Sequence, residues 1–426
     1  MKDAPRLQSV LDILTFHGEE KKPLDQICHA YFKARHYIGS KDRHAIAAYV
    51  YDVMRRRASC DWWALKRGQS PLLMAPDDAA RVRLLTYLWI IEKMPRERIG
   101  ILFSGETYAP ERVSSKERAI FEDLPDLSTA PPWIQGEFPE WAFPLLKRRF
   151  GETLTEEAQT FLSPAPVDLR VNTLKTSREK ALEDLTNAGL SLAMTPLSPW
   201  GLRLNTRANI TQTRAFQEGR VEVQDEGSQL IASIMDAKPG QSILDLCAGA
   251  GGKTLALAAL LENKGRIVAT DTAAWRLKRT KERLKRAGAC NVELRPIVGF
   301  QDKWLKRQAM RFDRVLVDAP CSGSGTWRRN PDQKWNMTTR DVTELAALQL
   351  SLLEGAAAFV KREGFLVYAT CSLFCEENED VATAFLANNP AFEAIPCGLE
   401  DALYLSLSPV KNGTDGFFAA KFQKVL

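Results

Sequence analysis

Apolar positions in the first 125 residues recur at helical spacing. Ile27, Tyr31 and Phe32 share one face, as do Ile46, Tyr49, Val50, Val53 and Met54, and Leu84, Leu85, Leu88 and Ile91 continue the pattern. Turn residues at Gly39-Ser40-Lys41-Asp42 and Pro76-Asp77-Asp78 separate the runs. This predicts a small helical bundle over 1–125. Pro125 to Trp133, with adjacent Pro131 and Pro132, reads as a linker, and a helical stretch follows from Glu137 to about Leu162. Next, Val167–Val171 alternates like a strand, Ser177–Ala188 like a helix, and Leu190–Met194 and Gly201–Leu204 like strands. The linker helices and this small α+β module fill 126–220. From Val221 the pattern changes again. Strands are predicted at Ser242–Cys247, Arg266–Asp271, Asn291–Leu294, Phe312–Pro320 and Gly364–Ser372, with helices at 253–262, 274–287 and 347–362 between most of them. That is the pattern of a doubly wound α/β parallel sheet over 221–426, whose ligands sit beyond the carboxyl ends of the strands.

A chain of 426 residues exceeds what one core usually holds, in keeping with two or three domains. No run approaches the roughly 18 apolar residues of a membrane span. The N-terminus mixes charge into its apolar positions and lacks the apolar core of a signal peptide, so a cytoplasmic protein is expected. Eight cysteines with no CxxC pair make neither a disulfide scaffold nor a zinc site. The net charge of +5 is modest, but Trp275 to Arg286 reads WRLKRTKERLKR. Lys303, Lys306, Arg307, Arg328 and Arg329 follow it. Such a run is either a solvated helix face or a patch that meets phosphates. All the histidines, His17, His29, His36 and His44, lie near the N-terminus. Chemistry in the C-terminal half must proceed without imidazole, which excludes Ser-His-Asp and Cys-His hydrolysis.

Three motifs carry candidate chemistry. Asp245-Leu-Cys-Ala-Gly-Ala-Gly-Gly-Lys-Thr254 leaves a strand and enters a helix, where glycines allow a sharp turn and close approach to a ligand. A P-loop would need its first glycine at Cys247, so the phosphate cradle is incomplete. Asp271, ending the second strand, is placed to accept both hydroxyls of a ribose; a helix N-cap is its competing role. NAD and S-adenosylmethionine both carry such a ribose. Asp318-Ala-Pro-Cys321 closes the fourth strand and Thr370-Cys371-Ser372 the fifth, and these strands are neighbours in the usual doubly wound order. One such cysteine reads as a small buried hydrophobe. Two at equivalent strand ends, beside a carboxylate, point to covalent chemistry on a pyrimidine ring. A thiolate adding to C6 of cytosine makes C5 nucleophilic toward an activated methyl group, and a carboxyl near N3 stabilises the added state. An adenine-N6 methyltransferase would instead show Asp/Asn-Pro-Pro-aromatic at the fourth strand.

These residues resemble the Sun-type (NSUN) family of RNA cytosine-5 methyltransferases. The resemblance rests on VQDEGSQL (223–230), DLCAGAGGKT (245–254), DAPCSGSGTWRRNPD (318–332), YATCS (368–372) and GTDGFF (413–418). It implies a Rossmann-like class I S-adenosylmethionine methyltransferase domain. Within it, Cys371 resembles the nucleophile, Cys321 the cysteine that assists product release, and Asp318 the carboxylate that contacts the base and borders the cofactor. By the same resemblance, Cys247, Ala248, Gly249, Ala250, Gly251, Gly252 and Lys253 form the cofactor loop, Asp271 binds the ribose, and Arg276 matches a basic position after that acid. SKDRHAIAAYVYDVMRRR is similar to the NusB-like RNA-binding domain of the bacterial Sun/RsmB-type ribosomal RNA enzymes, and LRVNTLK (169–175) to the family's pre-catalytic module. The combination implies RNA as partner, with 16S ribosomal RNA or an assembling small subunit as substrate, and a monomer needing no metal or membrane. A transfer RNA enzyme, a catalytically silent assembly factor and a nicotinamide oxidoreductase are the alternatives. Two positions depart from the family pattern. Ala248-Gly249-Ala250 stands where Ala-Ala-Pro is usual, and Asp302 is the only acid near the place of the usual adenine-binding acid.

Overall fold

The computed structural model describes all residues of the chain except 21, 67–69 and 121–123. The chain divides into two compact units: Met1–Pro164 with Trp327–Thr338, and Ala165–Thr326 with Thr339–Leu426.

The first unit is helical. Its main helices are Asp3–Glu20, Leu24–Ala34, Ser40–Arg55, Arg57–Lys66 and Pro76–Thr86. The predicted stripes form its core: Ile27, Tyr31, Ile46, Val50, Val53, Met54, Leu84, Leu85 and Leu88 are all buried in one cluster. The stretch predicted as one helix from Glu137 is broken. Phe143–Phe150 and Leu154–Thr160 are separate helices, because Gly151 between them takes a left-handed φ of 53°.

Trp327–Thr338 follows the fourth-strand motif in sequence yet belongs to this helical unit. Lys334, 1% exposed, donates its ammonium to the Glu137 carbonyl. The Glu137 carboxyl accepts the backbone N–H groups of Ala58 at 2.9 Å and Ser59 at 3.2 Å. Burial raises the Glu137 pKa to about 7 and lowers that of Lys334 to about 8. Asp332 accepts the N–H of Leu24 at 3.1 Å, and Trp327 meets Trp141 edge-on.

The second unit holds two sheets. Strands β1 (Asp168–Val171), β2 (Leu192–Met194), β3 (Gly201–Leu204) and β4 (Val221–Val223) form an antiparallel sheet ordered β2-β3-β1-β4, and the helix Arg178–Asn187 shares their apolar cluster. The larger sheet contains β5 (Ser242–Asp245), β6 (Arg266–Asp271), β7 (Val292–Pro296), β8 (Phe312–Asp318), β9 (Val360–Thr370), β10 (Phe392–Ile395), β11 (Leu405–Leu407) and β12 (Phe417–Lys424). Its order is β10-β12-β9-β8-β5-β6-β7, with β11 paired to β12. The five predicted strands are β5 to β9, and they are parallel along β7-β6-β5-β8-β9. The sheet as a whole is mixed, because β12 runs antiparallel to both β9 and β10.

Both faces of this sheet are covered, so its strands read as nearly continuous apolar runs. Val315, Val317, Leu366 and Tyr368 enter one cluster; Leu316, Val367 and Ala369, alternating with them, enter the other. The helix predicted at 347–362 spans Thr339–Ala357, and β9 begins at Val360 rather than Gly364. Its polar start, Lys361-Arg362-Glu363, hid that beginning. A register shift between Phe312 and Arg314 of β8 faces it, and Glu363 has a φ of 61°. Among the described residues, no helix is long and apolar enough to cross a membrane.

Candidate active site

The central strand β5 lies between β6 and β8, where the strand order reverses. Clefts beyond such a point bind ligands. The glycine-rich turn starts there. The N–H of Ala248 donates to the Thr270 carbonyl at 2.9 Å, and that of Gly249 to an Asp271 carboxylate oxygen at 2.9 Å. Gly251 has a φ of 78°, and a Cβ there would lie 2.4 Å from the Thr280 side chain, so only glycine fits. Asp245 is fully buried; one oxygen accepts the Thr254 hydroxyl at 2.7 Å, and burial lifts its pKa to about 7. Burial likewise pushes the Cys247 thiol up, with the Asp245 charge adding to the shift.

Asp271 does cap the following turn, accepting the Ala273 N–H at 2.7 Å. A carboxylate offers about four lone-pair sites. With the Gly249 and Ala273 donors in place, sites remain for two ribose hydroxyls, so the cap role and the ribose role are compatible. Arg276 is half exposed, with its guanidinium 4.0 Å from Asp271. Asp302 accepts the N–H groups of Trp304 at 2.9 Å and Leu305 at 3.2 Å, the role of a turn cap.

Strands β8 and β9 are parallel neighbours with Asp318 opposite Ala369, which brings their ends together. The sulfur atoms of Cys321 and Cys371 lie 3.4 Å apart as free thiols. The Cys321 thiol is held well above its ordinary pKa by the hydrogen bond with Cys371 and by burial. Gly325 donates to the Cys371 carbonyl and accepts from Gly416, each at 2.9 Å. A Cβ on Gly325 would lie 2.1 Å from the Gly416 carbonyl oxygen, which explains why the fourth-strand motif and Gly413–Phe418 both need glycine there. Lys253, on the helix Gly252–Leu260, places its ammonium 2.7 Å from Asp318. Burial lowers the Lys253 pKa, but the Asp318 carboxylate outweighs this and Cys371 adds to the rise.

Several polar residues around the cysteines escaped the sequence reading. Glu377, fully buried, accepts hydrogen bonds from Ser322, Ser372 and Gln349. Its only signal was its place in an acidic run, Glu376-Glu377-Asn378-Glu379-Asp380, which looks like the acid-rich start of a helix.

The basic segment divides in two. On the helix Ala274–Ala287, Arg283 and Arg286 face inward and pair with buried Glu222, and Arg283 also donates to the Ala250 carbonyl. Trp275, Lys278, Arg279, Lys281 and Lys285 face solvent, with Arg279 5.6 Å from the centre of the Trp275 ring. Lys303, Lys306 and Arg307 are also exposed. Arg328 departs from the expectation: it is buried in the helical unit, where its carbonyl accepts from Arg55. The small module is bound to the same loop and helix. Arg170 donates to the Gly252 carbonyl at 2.6 Å, and Asn172 to those of Gly219 and Ala287 at 2.8 Å.

A reversing parallel sheet with the antiparallel strand β12 inserted between β9 and β10, a glycine turn after its central strand and an acid ending the next strand together make the Rossmann-like class I methyltransferase fold. A family model described as "16S rRNA methyltransferase RsmB/F" matches residues 232–423, and the ferredoxin-like domain of the same enzymes matches 138–211. A probable ribosomal RNA small subunit methyltransferase B from Synechocystis is 30% identical, covering 92% of this chain and 93% of the relative. Its namesake from Bacillus subtilis is 34% identical, covering 91% and 92%. The crystal structure of PH0851 superposes with a TM-score of 0.83 at 27% identity, covering 100% of this chain and 99% of that one. The chain belongs to the RsmB/F family of 16S rRNA methyltransferases.

Proposed function

We propose that the protein is an S-adenosylmethionine-dependent RNA cytosine-C5 methyltransferase acting on 16S ribosomal RNA in the cytoplasm, with Cys371 as nucleophile. The contact between Cys321 and Cys371, next to the Lys253–Asp318 pair, carries this reading. The names of the relatives support a ribosomal RNA substrate. In the same reading, residues 1–125 bind RNA, 126–220 carry the linker helices and the pre-catalytic module, and 221–426 are catalytic.

Cys247, Ala248, Gly249, Ala250, Gly251, Gly252, Lys253, Asp271, Arg276 and Asp318 would hold the cofactor. Its chemistry is the supply of an electrophilic methyl group. The chain's own residues prepare the base to receive it. The Cys371 sulfur adds to C6, breaking the C5=C6 double bond and making C5 nucleophilic. Asp318, taking a proton from the Lys253 ammonium beside it, stabilises the added ring at N3 by hydrogen bonding or proton donation. Once C5 carries the methyl group, its proton passes to water, the C5–H electron pair re-forms the C5=C6 double bond, and the C6–S pair returns to the Cys371 sulfur as that bond breaks. Cys321 lies beside the departing sulfur and assists that release. Transfer of labelled methyl from the cofactor to 16S ribosomal RNA tests the proposal. Activity is expected from the wild type and only background from Cys371→Ala; full activity in that variant would overturn the assigned role.

A further inference from the structure

We infer that Glu377 is the positioning residue that fixes the two cysteines relative to each other and so couples attack to release. The reaction it serves is the one proposed above. Cys321 and Cys371 sit on separate loops, and past the strand ends the β8–β9 pairing thins to backbone bonds such as that from Gly325 to the Cys371 carbonyl. Beyond the strands, the loops are joined by a buried polar cluster centred on Glu377.

One Glu377 oxygen accepts the Ser322 N–H at 2.8 Å and the Gln349 side-chain amide at 2.9 Å. The other accepts the hydroxyls of Ser322 and Ser372. Ser322 directly follows Cys321, and Ser372 directly follows Cys371. One carboxylate thus clamps the residue after each thiol. The remaining valences are also used. Ser324 lies 3.1 Å from the Ser372 hydroxyl and accepts the Leu373 N–H at 2.8 Å. The Gln349 amide also donates to the Pro320 carbonyl at 2.9 Å, and Tyr368 donates to the Glu377 carbonyl. Ser322, Ser324, Gln349, Tyr368, Ser372 and Glu377 are each no more than 4% exposed.

A carboxylate this deep is costly to bury unless its partners are complete, and a completed network of this kind makes one arrangement rigid. Here the rigid arrangement is the 3.4 Å contact between the sulfurs. Glu377 also acts through its charge. After the Cys371 hydrogen bond and burial, its negative charge is a further cause of the raised Cys321 pKa. The Glu377 charge thereby disfavours ionisation of the Cys321 thiol.

The test uses the full chain with Glu377→Gln, which keeps the side-chain shape, and Glu377→Ala. Dibromobimane, which bridges only thiols in near contact, should cross-link Cys321 to Cys371 in the wild type, read by peptide mapping without any RNA. The cross-link should fall in both variants. In pH-dependent alkylation, the Cys321 profile should move to lower pH in Glu377→Gln. With RNA and cofactor, kcat should fall about 10–100-fold while the KM for RNA stays unchanged, the cost expected of a displacement of about 1 Å. A covalent protein–RNA adduct should accumulate as release lags attack. A fold defect would lower attack and release together and leave no adduct. If Glu377→Ala does not fold, Glu377→Gln carries the test. Wild-type cross-linking, alkylation profile and kcat in Glu377→Gln would overturn the inference, and so would a lower kcat with wild-type cross-linking and no adduct. A wild-type enzyme that makes no 5-methylcytidine would sink the proposed function while leaving the cross-linking result to stand by itself.

Discussion

The sulfur atoms of Cys321 and Cys371 are 3.4 Å apart, although 50 positions separate them in the chain. Two parallel strands ending side by side create this meeting. It predicts that the two cysteines fail differently when removed. Cys371→Ala should reduce transfer on the order of 10⁴-fold or more, as expected for loss of a nucleophile. Cys321→Ala should attack but release slowly, giving an RNA-linked band on a denaturing gel. A gel with no such band would contradict this division of roles.

Asp318 and Lys253 act as a unit, their charged atoms 2.7 Å apart. Asp318→Asn should lower kcat about 10²–10⁴-fold, the range for loss of an acid–base group. It should also return the Lys253 pKa toward or below its ordinary value, because burial then acts with less opposition. Lysine side-chain NMR across pH measures the second effect, and an unmoved titration would contradict the pairing.

Asp245 gives a pH-dependent stability. Burial raises its pKa to about 7, against about 3.9 in an unfolded chain. The folded state therefore holds this proton more tightly. The resulting stabilisation is full below about pH 4 and is lost as pH rises through about 7. Asp245→Asn keeps an oxygen for the Thr254 hydroxyl and removes the ionisation. Its melting temperature should exceed that of the wild type at about pH 8 and approach it at about pH 5, with each kcal/mol worth roughly 2–4 °C. Calorimetry of the ligand-free protein at both pH values checks this; equal differences at both would contradict it.

The two sides of the helix Ala274–Ala287 should separate in binding and stability. Replacing exposed Lys278 and Arg279 with Gln should weaken RNA binding with little change in melting temperature. The slope of log affinity against log salt should fall by about one for each phosphate that is no longer neutralised. Arg286→Ala removes one of the two arginines that pair with buried Glu222 among the described residues, and should destabilise by about 1–3 kcal/mol. Filter binding across a salt series and thermal melts distinguish the two. An unchanged salt slope in the Lys278 and Arg279 variant would remove this face from the RNA site.

Much of this organisation was legible in the chain because it follows from periodicity. The stripes of Ile46, Val50 and Val53 and of Leu84, Leu85 and Leu88 are buried as helical spacing requires. The strands ending at Asp271, Asp318 and Thr370 were visible as apolar runs bounded by motifs. The antiparallel strands β10 to β12 were not. They are short or, in Phe417-Phe418-Ala419-Ala420, continuously buried, so no alternation marked them. The placement of Trp327–Thr338 in the helical unit was also hidden, since buried Lys334 and Asp332 look in sequence like surface charges. Glu377 was missed for the same reason. A buried charge is recognised only by the donors that converge on it, and Ser322, Ser372 and Gln349 come from three separate segments.

In the proposed reaction the methyl group goes to C5 of a cytosine in ribosomal RNA through Cys371. Its most direct test incubates wild-type protein and Cys371→Ala with 16S ribosomal RNA and isotope-labelled S-adenosylmethionine, digests the RNA to nucleosides and identifies the labelled product by mass spectrometry. Labelled 5-methylcytidine is expected with the wild type and none with the variant. Label on any other nucleoside, or equal 5-methylcytidine from Cys371→Ala, would contradict it.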